Sequence, residues 1–208
     1  MKILLFGASG MIGQGVLREC LLDPDVDAVL SIGRSPSGTE HSKLREIQHR
    51  DFTDFSTLEG QLSGYDACFF CLGVSSAGMG EADYTRVTYD FALSAGQVLA
   101  RLNPQMTFIY VSGAGTDSSA RGRTMWARVK GKTENDLLAL PFRAYMFRPA
   151  AIEPRHGIQS KTPLYRVLYA GLRVTLPLLR RAMPKYVTST EDVGRAMLQV
   201  AKHGADKR

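Results

Sequence analysis

A glycine-rich turn near the N-terminus constrains the fold of this chain more than any other feature. Residues 1–6 read MKILLF, an apolar run of strand length, and Gly7-Ala8-Ser9-Gly10-Met11-Ile12-Gly13 follows without a spacer. Apolar residues then recur at helical spacing, so the pattern predicts a strand, a tight turn and a helix. This arrangement is typical of dinucleotide-binding units, in which a pyrophosphate lies at the helix N-terminus.

Each glycine of this turn has its own physical role. Gly7 allows the tight turn out of the strand, Gly10 lets the backbone approach a pyrophosphate, and Gly13 lets the helix pack close to the sheet. Free N–H groups in the first helical turn, together with the helix dipole, favour an anion there. The sequence therefore predicts cofactor contacts from Gly7, Ser9, Gly10, Met11, Ile12 and Gly13.

The second predicted strand, residues 28–32, ends in Gly33-Arg34-Ser35. In a dinucleotide-binding unit this strand end faces the adenosine ribose. A carboxylate here would bind both ribose hydroxyls, whereas the guanidinium of Arg34 offers a fork of donors that matches a 2′-phosphate. The sequence therefore favours NADP(H) over NAD(H); the alternative is that Arg34 is only a solvated loop residue.

Length and composition limit the class of protein. A chain of 208 residues suits one α/β domain with a full core and leaves little for a second. No apolar run reaches the roughly 18 residues of a membrane span, and the apolar N-terminal run lacks the basic region of a secretory signal. We therefore expect a cytoplasmic protein. The cysteines and histidines lack metal-ligand spacing, which predicts no metal site and reduced core thiols at Cys20, Cys68 and Cys71.

Positive charge is concentrated in the second half of the chain. Residues 1–110 contain 8 Lys and Arg against 13 Asp and Glu, whereas residues 111–208 contain 18 against 7, for a net charge of +6. Nucleic acid is one possible partner, but these cations are dispersed over several predicted elements without aromatic residues along one stripe. We therefore expect an anionic cofactor or a small-molecule substrate and no nucleic acid.

Further strands and helices alternate along the chain. Apolar runs predict strands at residues 44–49, 65–72, 107–112, 144–147 and 186–188. A long helix is predicted at residues 81–102, with Val87, Phe91, Leu93, Val98 and Leu99 facing inward, and a short helix with Thr53 as N-cap ends at Leu58. Ser189-Thr190-Glu191-Asp192 is a capping box that predicts a last helix from Val193.

The order of these features resembles the short-chain dehydrogenase/reductase superfamily, and in particular its small atypical, epimerase-dehydratase-like branch. The pattern consists of the glycine turn, Arg34, Asp51-Phe52 after the third strand, Cys71-Leu72-Gly73 after the fourth and Ser112 after the fifth. Cys71-Leu72-Gly73 and the later VKGKTE, residues 129–134, resemble the Tat-interacting oxidoreductase-like proteins. The resemblance implies a single doubly wound α/β Rossmann domain over residues 1–208. It also implies a mostly parallel sheet of about seven strands.

The resemblance extends the predicted cofactor site beyond the glycine turn and Arg34. The implied contacts are at Asp51, Phe52, Cys71, Leu72, Gly73, Ser112, Lys130, Arg148, Pro149, Ala150 and Ile152. In the family an Arg-Pro-Gly follows the sixth strand along the nicotinamide, and Ala150 replaces that glycine here. The part of the chain from about residue 150 is expected to form the substrate side, and Arg148 to brace the site or to serve only as an ion-pair partner.

The catalytic signature of the family is a serine followed by Tyr-x-x-x-Lys on the next helix. This chain has Ser112 and Lys130, but Trp126 stands at the tyrosine position. Indole N–H is a donor only and cannot relay a proton at neutral pH. The resemblance thus gives a catalytic group of Ser112, Trp126 and Lys130 without the usual acid, in which Ser112 orients a carbonyl and Lys130 binds ribose. The alternative for Lys130 is a solvated helix lysine.

Two enzyme classes and one regulatory class remain open for this site. A carbonyl reductase would need a substitute acid such as Ser112 or a nearby tyrosine. A flavin or quinone reductase needs little protein acid, since charge spreads over the acceptor ring, and Trp126 offers a stacking face. The third possibility is a non-catalytic NADPH-sensing regulatory or scaffold protein. The sequence predicts an NADP(H)-dependent reductase for a small compact acceptor and indicates no particular oligomeric state.

A basic amphipathic segment occupies residues 162–181. Leucines recur there with Arg166, Arg173, Arg180 and Arg181. Such a segment suits either a helix on a membrane surface or a helix on the substrate side. In the second case the arginine stems cover apolar surface while the charged ends stay in water. We favour the substrate-side helix and expect no stable membrane insertion.

Overall fold

Strands and helices alternate along most of the chain. A computed structural model describes residues 1–158 and 187–206. The strands are β1 (Lys2–Phe6), β2 (Ala28–Gly33), β3 (Leu44–Gln48), β4 (Ala67–Phe70), β5 (Thr107–Val111), β6 (Arg143–Phe147), β7 (Ala151–Glu153) and β8 (Val187–Ser189). The helices are α1 (Met11–Leu22), α2 (Glu59–Leu62), α3 (Glu81–Thr85), α4 (Phe91–Leu102), α5 (Met125–Leu138) and α6 (Thr190–His203).

The first six strands form one parallel sheet in the order β3-β2-β1-β4-β5-β6. The chain runs outward from β1 to β3, then returns to the other side of β1 and runs outward again to β6. The strand order therefore reverses between β1 and β4, which is where ligands bind in open α/β sheets. This topology confirms the predicted doubly wound α/β Rossmann class.

The main sheet has six strands rather than about seven. The predicted C-terminal strand exists as β8, but it pairs in parallel with β7 as a separate two-stranded sheet, with Ala151 opposite Val187. Strand patterning in a sequence shows that a segment is extended without showing which neighbour it will pair with. Tyr186 and the basic segment at residues 162–181 lie outside the described residues.

The sheet is covered on both faces, which explains its apolar strands. Alternate residues of β1 pack into opposite layers: Leu4 and Phe6 into one, Ile3 and Leu5 into the other. The first layer includes side chains of α4 and α5, and the second includes Val16 of α1 and side chains of α6. β4 is buried over its whole length, as expected for a central parallel strand.

The predicted helix at residues 81–102 is continuous but contains a π-helical segment, Arg86–Asp90, between α3 and α4. Of the predicted inward residues, Leu99 is buried, and Phe91 and Val98 are partly buried and pack against the core. The other buried positions of α4 are small residues, namely Ala92, Ala95, Gly96 and Ala100. A Cβ on Gly96 would lie 2.7 Å from Cδ2 of Leu137. The helix approaches α5 too closely for a large side chain at position 96, and helical spacing of large apolar residues did not predict this small-residue contact.

Two aspartates shape the chain between β3 and α2, in place of the predicted Thr53 cap. Asp51 Oδ1 accepts from the Thr53 N–H and hydroxyl, and Asp54 Oδ1 accepts from the Ser56 N–H at 2.8 Å. A 3₁₀ turn, Ser56–Leu58, then leads into α2. The Asp side chains satisfy N–H groups two residues ahead, a local competition that favours turns over an earlier helix start.

The capping box before α6 is present, and the helix starts three residues before the predicted Val193. Ser189 Oγ accepts from the Asp192 N–H, and the Asp192 carboxylate accepts from the Ser189 N–H. In the part of the chain that the structure describes, no helix is long and apolar enough to cross a membrane.

The cysteines are unpaired, as predicted. Cys20 and Cys68 are buried, Cys71 is partly buried, and burial raises the pKa of the Cys71 thiol to about 12. Within residues 1–158 and 187–206, no group of His, Cys, Asp and Glu has the arrangement of a metal site.

Candidate functional site

Six loops that carry the predicted site residues meet at one edge of the main sheet. The glycine turn follows β1, Arg34 follows β2, and Asp51 follows β3. Cys71-Leu72-Gly73, Ser112 and Arg148 follow β4, β5 and β6 in the same way. Because all six strands are parallel, their carboxyl ends share this edge. The structure thus brings together segments that are far apart in the sequence.

The glycine turn has the close contacts that its sequence predicts. Gly7 has a φ of +82°, and a Cβ there would lie 2.7 Å from the Leu72 nitrogen. A Cβ on Gly13 would lie 2.0 Å from the Gly7 carbonyl oxygen. Gly7 therefore fits a left-handed turn pressed against the chain after β4, and Gly13 lets α1 begin directly beside that turn.

Gly10 differs from its two neighbours because the space beside it is open. A Cβ there would meet only the Gly7 oxygen, at 3.3 Å. Gly10 is the N-cap of α1, and no side chain caps this helix end. A Cβ on Gly73 would meet nothing within 4 Å. The helix N-terminus is thus available to an anion, which its dipole favours.

Arg34 and Asp51 are exposed at adjacent strand ends, whereas Phe52 is not. The His49 N–H donates to the Gly33 oxygen at 2.9 Å, which keeps the two chain segments side by side past the sheet. Arg34 makes no ion pair within the described ranges. The Phe52 ring is fully buried and packs edge-on against Phe6, so its side chain is a core group that does not face the sheet edge as a cofactor contact.

A buried carboxylate, Glu134, links Ser112 to Arg148 below this edge. The Ser112 hydroxyl donates to Glu134 Oε1 and lies 3.3 Å from the Phe147 carbonyl oxygen. Arg148 Nε lies 3.0 and 3.1 Å from the two Glu134 oxygens, and Nη2 makes an ion pair with Oε2. The Glu134 side chain is only 2% exposed, so water screens this pair weakly. The contact with Glu134 raises the pKa of Arg148.

Lys130 lies one helical turn before Glu134 and reaches the end of β5. Its Nζ donates to the Ser112 main-chain oxygen at 2.5 Å. Burial lowers the pKa of Lys130 to about 8, although the nearby charge of Glu134 opposes that change. Lys130 is therefore not the solvated helix lysine of the alternative interpretation.

Replacing Lys130 by methionine is expected to alter how stability depends on pH. The pKa of Lys130 is about 8 in the folded protein and 10.5 for a free lysine, so between these values the unfolded chain holds the proton that the folded chain has lost. Stability contributed by this group therefore rises with pH across that window, and the cost of burying the charge is complete below it.

Urea unfolding at about pH 7 and pH 10 measures the effect. The unmutated protein should gain stability relative to Lys130→Met at the higher pH, since other groups titrate equally in both proteins. A difference that does not change with pH would show that the Lys130 ammonium is not desolvated.

Trp126 packs against the turn after β5. A Cβ on Gly115 would lie 3.3 Å from Cη2 of the indole. Trp126 is half-buried and lies one turn before Lys130, on the same side of α5. The buried phenols of Tyr84 and Tyr110 are 1% and 2% exposed, and burial raises the pKa of Tyr110, so neither phenol is placed to protonate a substrate.

The segment after β6 continues beside the segment after β5. The Ser112 N–H donates to the Phe147 oxygen at 2.9 Å, and the Ala114 N–H donates to the Pro149 oxygen at 2.8 Å. Ala150 is exposed, whereas the Ile152 side chain is buried in β7. Pro149 and Ala150 thus have accessible surface at this edge, and Ile152 contributes mainly to packing.

Glu134 and Gly131 are the site residues that sequence reasoning missed. A Cβ on Gly131 would lie 1.7 Å from the Asp117 oxygen, so α5 can approach the loop after β5 only because residue 131 is glycine. Both residues belong to the VKGKTE segment, and Glu134 lies four residues after Lys130. That helical spacing was the available signal, because it places Glu134 beside Lys130 on one helix face.

Comparison with known proteins gives distant relatives. No protein-family model matches the chain. It is 28% identical over 151 residues to FMP52-2 of Scheffersomyces stipitis, covering 71% of this chain and 65% of that protein. It is 29% identical to rat HTATIP2, covering 73% of this chain and 62% of that protein. FMP52 of Saccharomyces cerevisiae is 29% identical over 212 residues, covering 100% of this chain and 90% of that protein.

These relatives confirm the resemblance to the Tat-interacting oxidoreductase-like proteins. The matched part spans slightly less than two thirds of the Scheffersomyces stipitis and rat proteins. They also correct one prediction, because the FMP52 relatives are named mitochondrial, and the expected cytoplasmic location is wrong. The lack of a basic region before the apolar N-terminal run bears on secretion and not on import into an organelle.

Solved structures share the fold at low sequence identity. UDP-N-acetylglucosamine 4-epimerase from Methanobrevibacter ruminantium M1 superposes with a TM-score of 0.75 at 15% identity, covering 99% of this chain and 74% of that one. The Bordetella bronchiseptica enzyme WbmH, in complex with NAD+, gives a TM-score of 0.69 at 14% identity, covering 97% of this chain and 72% of that one. This agreement establishes a Rossmann fold like that of these two enzymes.

Proposed function

We propose that this chain, a Rossmann-fold relative of HTATIP2 and the FMP52 proteins, is an NADPH-dependent reductase that transfers a hydride to a small conjugated acceptor. The observation that carries the proposal is the open glycine turn at the sheet's reversal point, with Ser112 and Lys130 at the same edge. The crystal structure of WbmH, which shares the fold, is a complex with NAD+. The same class of cofactor fits the residues of this chain.

The residues at the sheet edge suit a nicotinamide dinucleotide. Gly10 and Gly73 leave room for phosphates and ribose, and the uncapped start of α1 would hold the pyrophosphate. Arg34 is exposed beside the expected adenosine ribose, where its guanidinium would bind a 2′-phosphate. Lys130 would hold the nicotinamide ribose. When bound, the cofactor supplies the hydride.

Replacing Arg34 by alanine is expected to abolish a preference for NADPH over NADH. A charged hydrogen-bonded contact with the 2′-phosphate contributes about 1.5 to 3 kcal/mol, or roughly 10- to 150-fold in affinity. Parallel titrations of both cofactors against both proteins measure the change. Equal affinities in the unmutated protein would refute the role of Arg34 while leaving dinucleotide binding intact.

The proton donors at the site favour a conjugated acceptor over a simple carbonyl. The Ser112 hydroxyl already donates to Glu134, Trp126 can donate but not exchange a proton, and the buried phenols of Tyr84 and Tyr110 are out of reach. A flavin or quinone ring spreads the charge that a hydride brings, so solvent can protonate it. The half-buried face of Trp126 offers a surface on which such a ring can stack.

A second candidate is a non-catalytic protein that binds NADPH and changes a partner contact. The indole at the position of the usual tyrosine favours it. Both candidates predict that NADPH loading changes the fluorescence of Trp126, the one tryptophan of the chain. They differ in turnover.

A turnover screen with NADPH and panels of flavins, quinones and aldehydes separates the two candidates. For the reductase, the unmutated protein should reduce flavins or quinones, and Trp126→Tyr should add activity toward aldehydes because a phenol can act as general acid. For the regulator, neither protein should turn over. Cofactor titration without any change in fluorescence would contradict the placement of Trp126 beside the cofactor.

A further inference from the structure

The proton of the Ser112 hydroxyl is committed within the protein. The Oγ atom has two protein neighbours, a Glu134 carboxylate oxygen and the Phe147 carbonyl oxygen at 3.3 Å. Both are hydrogen-bond acceptors, and a hydroxyl has only one proton to give. Whichever oxygen receives it, none remains for a ligand, and Ser112 can offer a ligand only its lone pairs.

Arg148 fixes the direction of the hydrogen bond between Ser112 and Glu134. Its Nε and Nη2 atoms donate to both oxygens of Glu134, which holds that side chain as a carboxylate with no proton of its own. Glu134 can therefore only accept from Ser112. The Arg148 guanidinium is fixed in turn by the Ser118 hydroxyl, at 2.6 Å from Nη2. Arg148 thus donates to both Ser118 and Glu134, and Glu134 accepts from both Arg148 and Ser112.

We propose that Glu134 is a specificity-determining residue, which makes Ser112 a hydrogen-bond acceptor toward the substrate. The inference rests on the proposed reductase function and narrows its substrate class to nitrogen heteroaromatic rings with a lactam edge. The ring N–H donates to Ser112 Oγ, and the neighbouring carbonyl accepts from the Lys130 ammonium, which has N–H groups beyond the one bound to the Ser112 oxygen. A flavin has such an edge. A quinone, which presents only carbonyl oxygens, does not.

Glu134→Gln is expected to reverse the direction of the hydrogen bond between residue 134 and Ser112, with little change in the shape of the side chain. An amide has one accepting oxygen and one donating nitrogen, and Arg148 can only donate, so the Gln oxygen will face Arg148. The amide nitrogen then faces Ser112 and donates to Oγ. The Ser112 proton is released from residue 134 and becomes available to the Phe147 oxygen or to a ligand.

Neutron diffraction from crystals of the NADP-loaded protein tests the polarity directly, without any turnover. In the unmutated protein the Ser112 deuteron should lie on the line from Oγ to Glu134, and in Glu134→Gln it should have left that line. A deuteron that points away from both Glu134 and Phe147 in the unmutated protein would overturn the proposal.

A matched pair of flavins tests the substrate class. Riboflavin carries the ring N–H, and N3-methylriboflavin replaces it with a methyl group. With NADPH, the unmutated protein should favour riboflavin in kcat/KM by about tenfold or more, as expected for one hydrogen bond plus the steric cost of the methyl group. Glu134→Gln should lower kcat/KM with riboflavin and change it little with the methylated ring, because binding of the ring N–H then requires the released Ser112 proton to turn to the Phe147 oxygen, 3.3 Å away. Since the steric cost is the same in both proteins, the change in the ratio reports the hydrogen bond.

The control is Glu19→Gln, which also neutralises a buried glutamate paired with arginines but lies on α1, away from Ser112. For this variant, the ratio of kcat/KM with riboflavin to kcat/KM with N3-methylriboflavin should equal that of the unmutated protein. An unchanged ratio in Glu134→Gln would overturn the assignment of the lactam edge. Absence of turnover in every protein, with the deuteron where it is expected, would instead contradict the reductase function and leave the polarity of Ser112 established.

Discussion

Valine at position 13 is expected to unfold the protein, whereas valine at position 10 is expected to leave it folded and unable to bind NADPH. A Cβ on Gly13 would lie 2.0 Å from the Gly7 oxygen, inside the densely packed start of α1. The turn cannot move away from the helix, because Gly7 is already pressed against Cys71 and Leu72 in the chain after β4. We expect a loss of at least about 4 kcal/mol in the free energy of unfolding.

Gly10 lies in the same turn but has a conformation open to any residue. Its φ of −81° and ψ of 166° are extended, and a Cβ there would have a single neighbour within 4 Å, the Gly7 main-chain oxygen at 3.3 Å. Gly10→Val should therefore cost about 1 kcal/mol or less in stability. The side chain would project into the space proposed for the pyrophosphate, and we expect at least a 100-fold loss of NADPH affinity, about 2.7 kcal/mol.

Circular dichroism with thermal unfolding, combined with NADPH titration, distinguishes the two outcomes. Gly80→Val is a matched control, because Gly80 is also an extended helix N-cap, with a φ of −68°, and has open space around its Cβ position. It should leave both stability and binding nearly unchanged. Normal NADPH binding by folded Gly10→Val would exclude the turn as the phosphate site.

Arg148→Met is expected to lower the free energy of unfolding by about 3 kcal/mol. It leaves the Glu134 carboxylate, 2% exposed, without a cation, and removing one partner of a buried pair typically costs about 3 to 5 kcal/mol. The lower end of this range applies because the Arg148 guanidinium is 39% exposed, so water can enter part of the space that it leaves beside Glu134. Urea unfolding measures the loss, and adding Glu134→Gln should recover at least half of it, since an amide is easier to bury than a charge.

Arg101→Met supplies the comparison, since Arg101 pairs with Glu59 on the surface, where the two side chains are 58% and 36% exposed. Breaking that pair should cost less than about 1 kcal/mol. If Arg148→Met cost no more than Arg101→Met, the Glu134 carboxylate would have to be solvated or neutral, and the proposed polarity of Ser112 would lose its basis.

The fold was predictable where residues that are neighbours in the sequence determine the local structure. The run from β1 through Gly7 to α1 combines an apolar strand, a left-handed turn and an amphipathic helix, and each is visible in neighbouring residues. The partner of β8 and the π-helical segment at Arg86–Asp90 depend instead on contacts with distant parts of the chain. No local spacing reports such contacts, so the strand count and the inward face of α4 were partly wrong.

The position of the candidate site was predictable for a geometric reason. Parallel strands place their carboxyl ends together, so residues that directly follow such strands, including Ser112 and Arg148, are predicted to lie near the glycine turn. The role of Glu134 was not predictable in this way. It depends on Arg148 crossing from the end of β6 to α5 and on Ser112 turning its hydroxyl inward, and such side-chain directions are fixed by packing rather than by sequence spacing.

The small sheet of β7 and β8 holds the two ends of one long connection together. Its pairing places Ala151 opposite Val187, so the two ends of the segment that connects β7 to β8 lie next to each other. The entropy of closing a connection grows only with the logarithm of its length. Connections of very different lengths can therefore be exchanged between these two anchors at little cost to the six-stranded sheet. Grafting such connections from larger relatives offers a practical route to new substrate pockets on an unchanged cofactor platform.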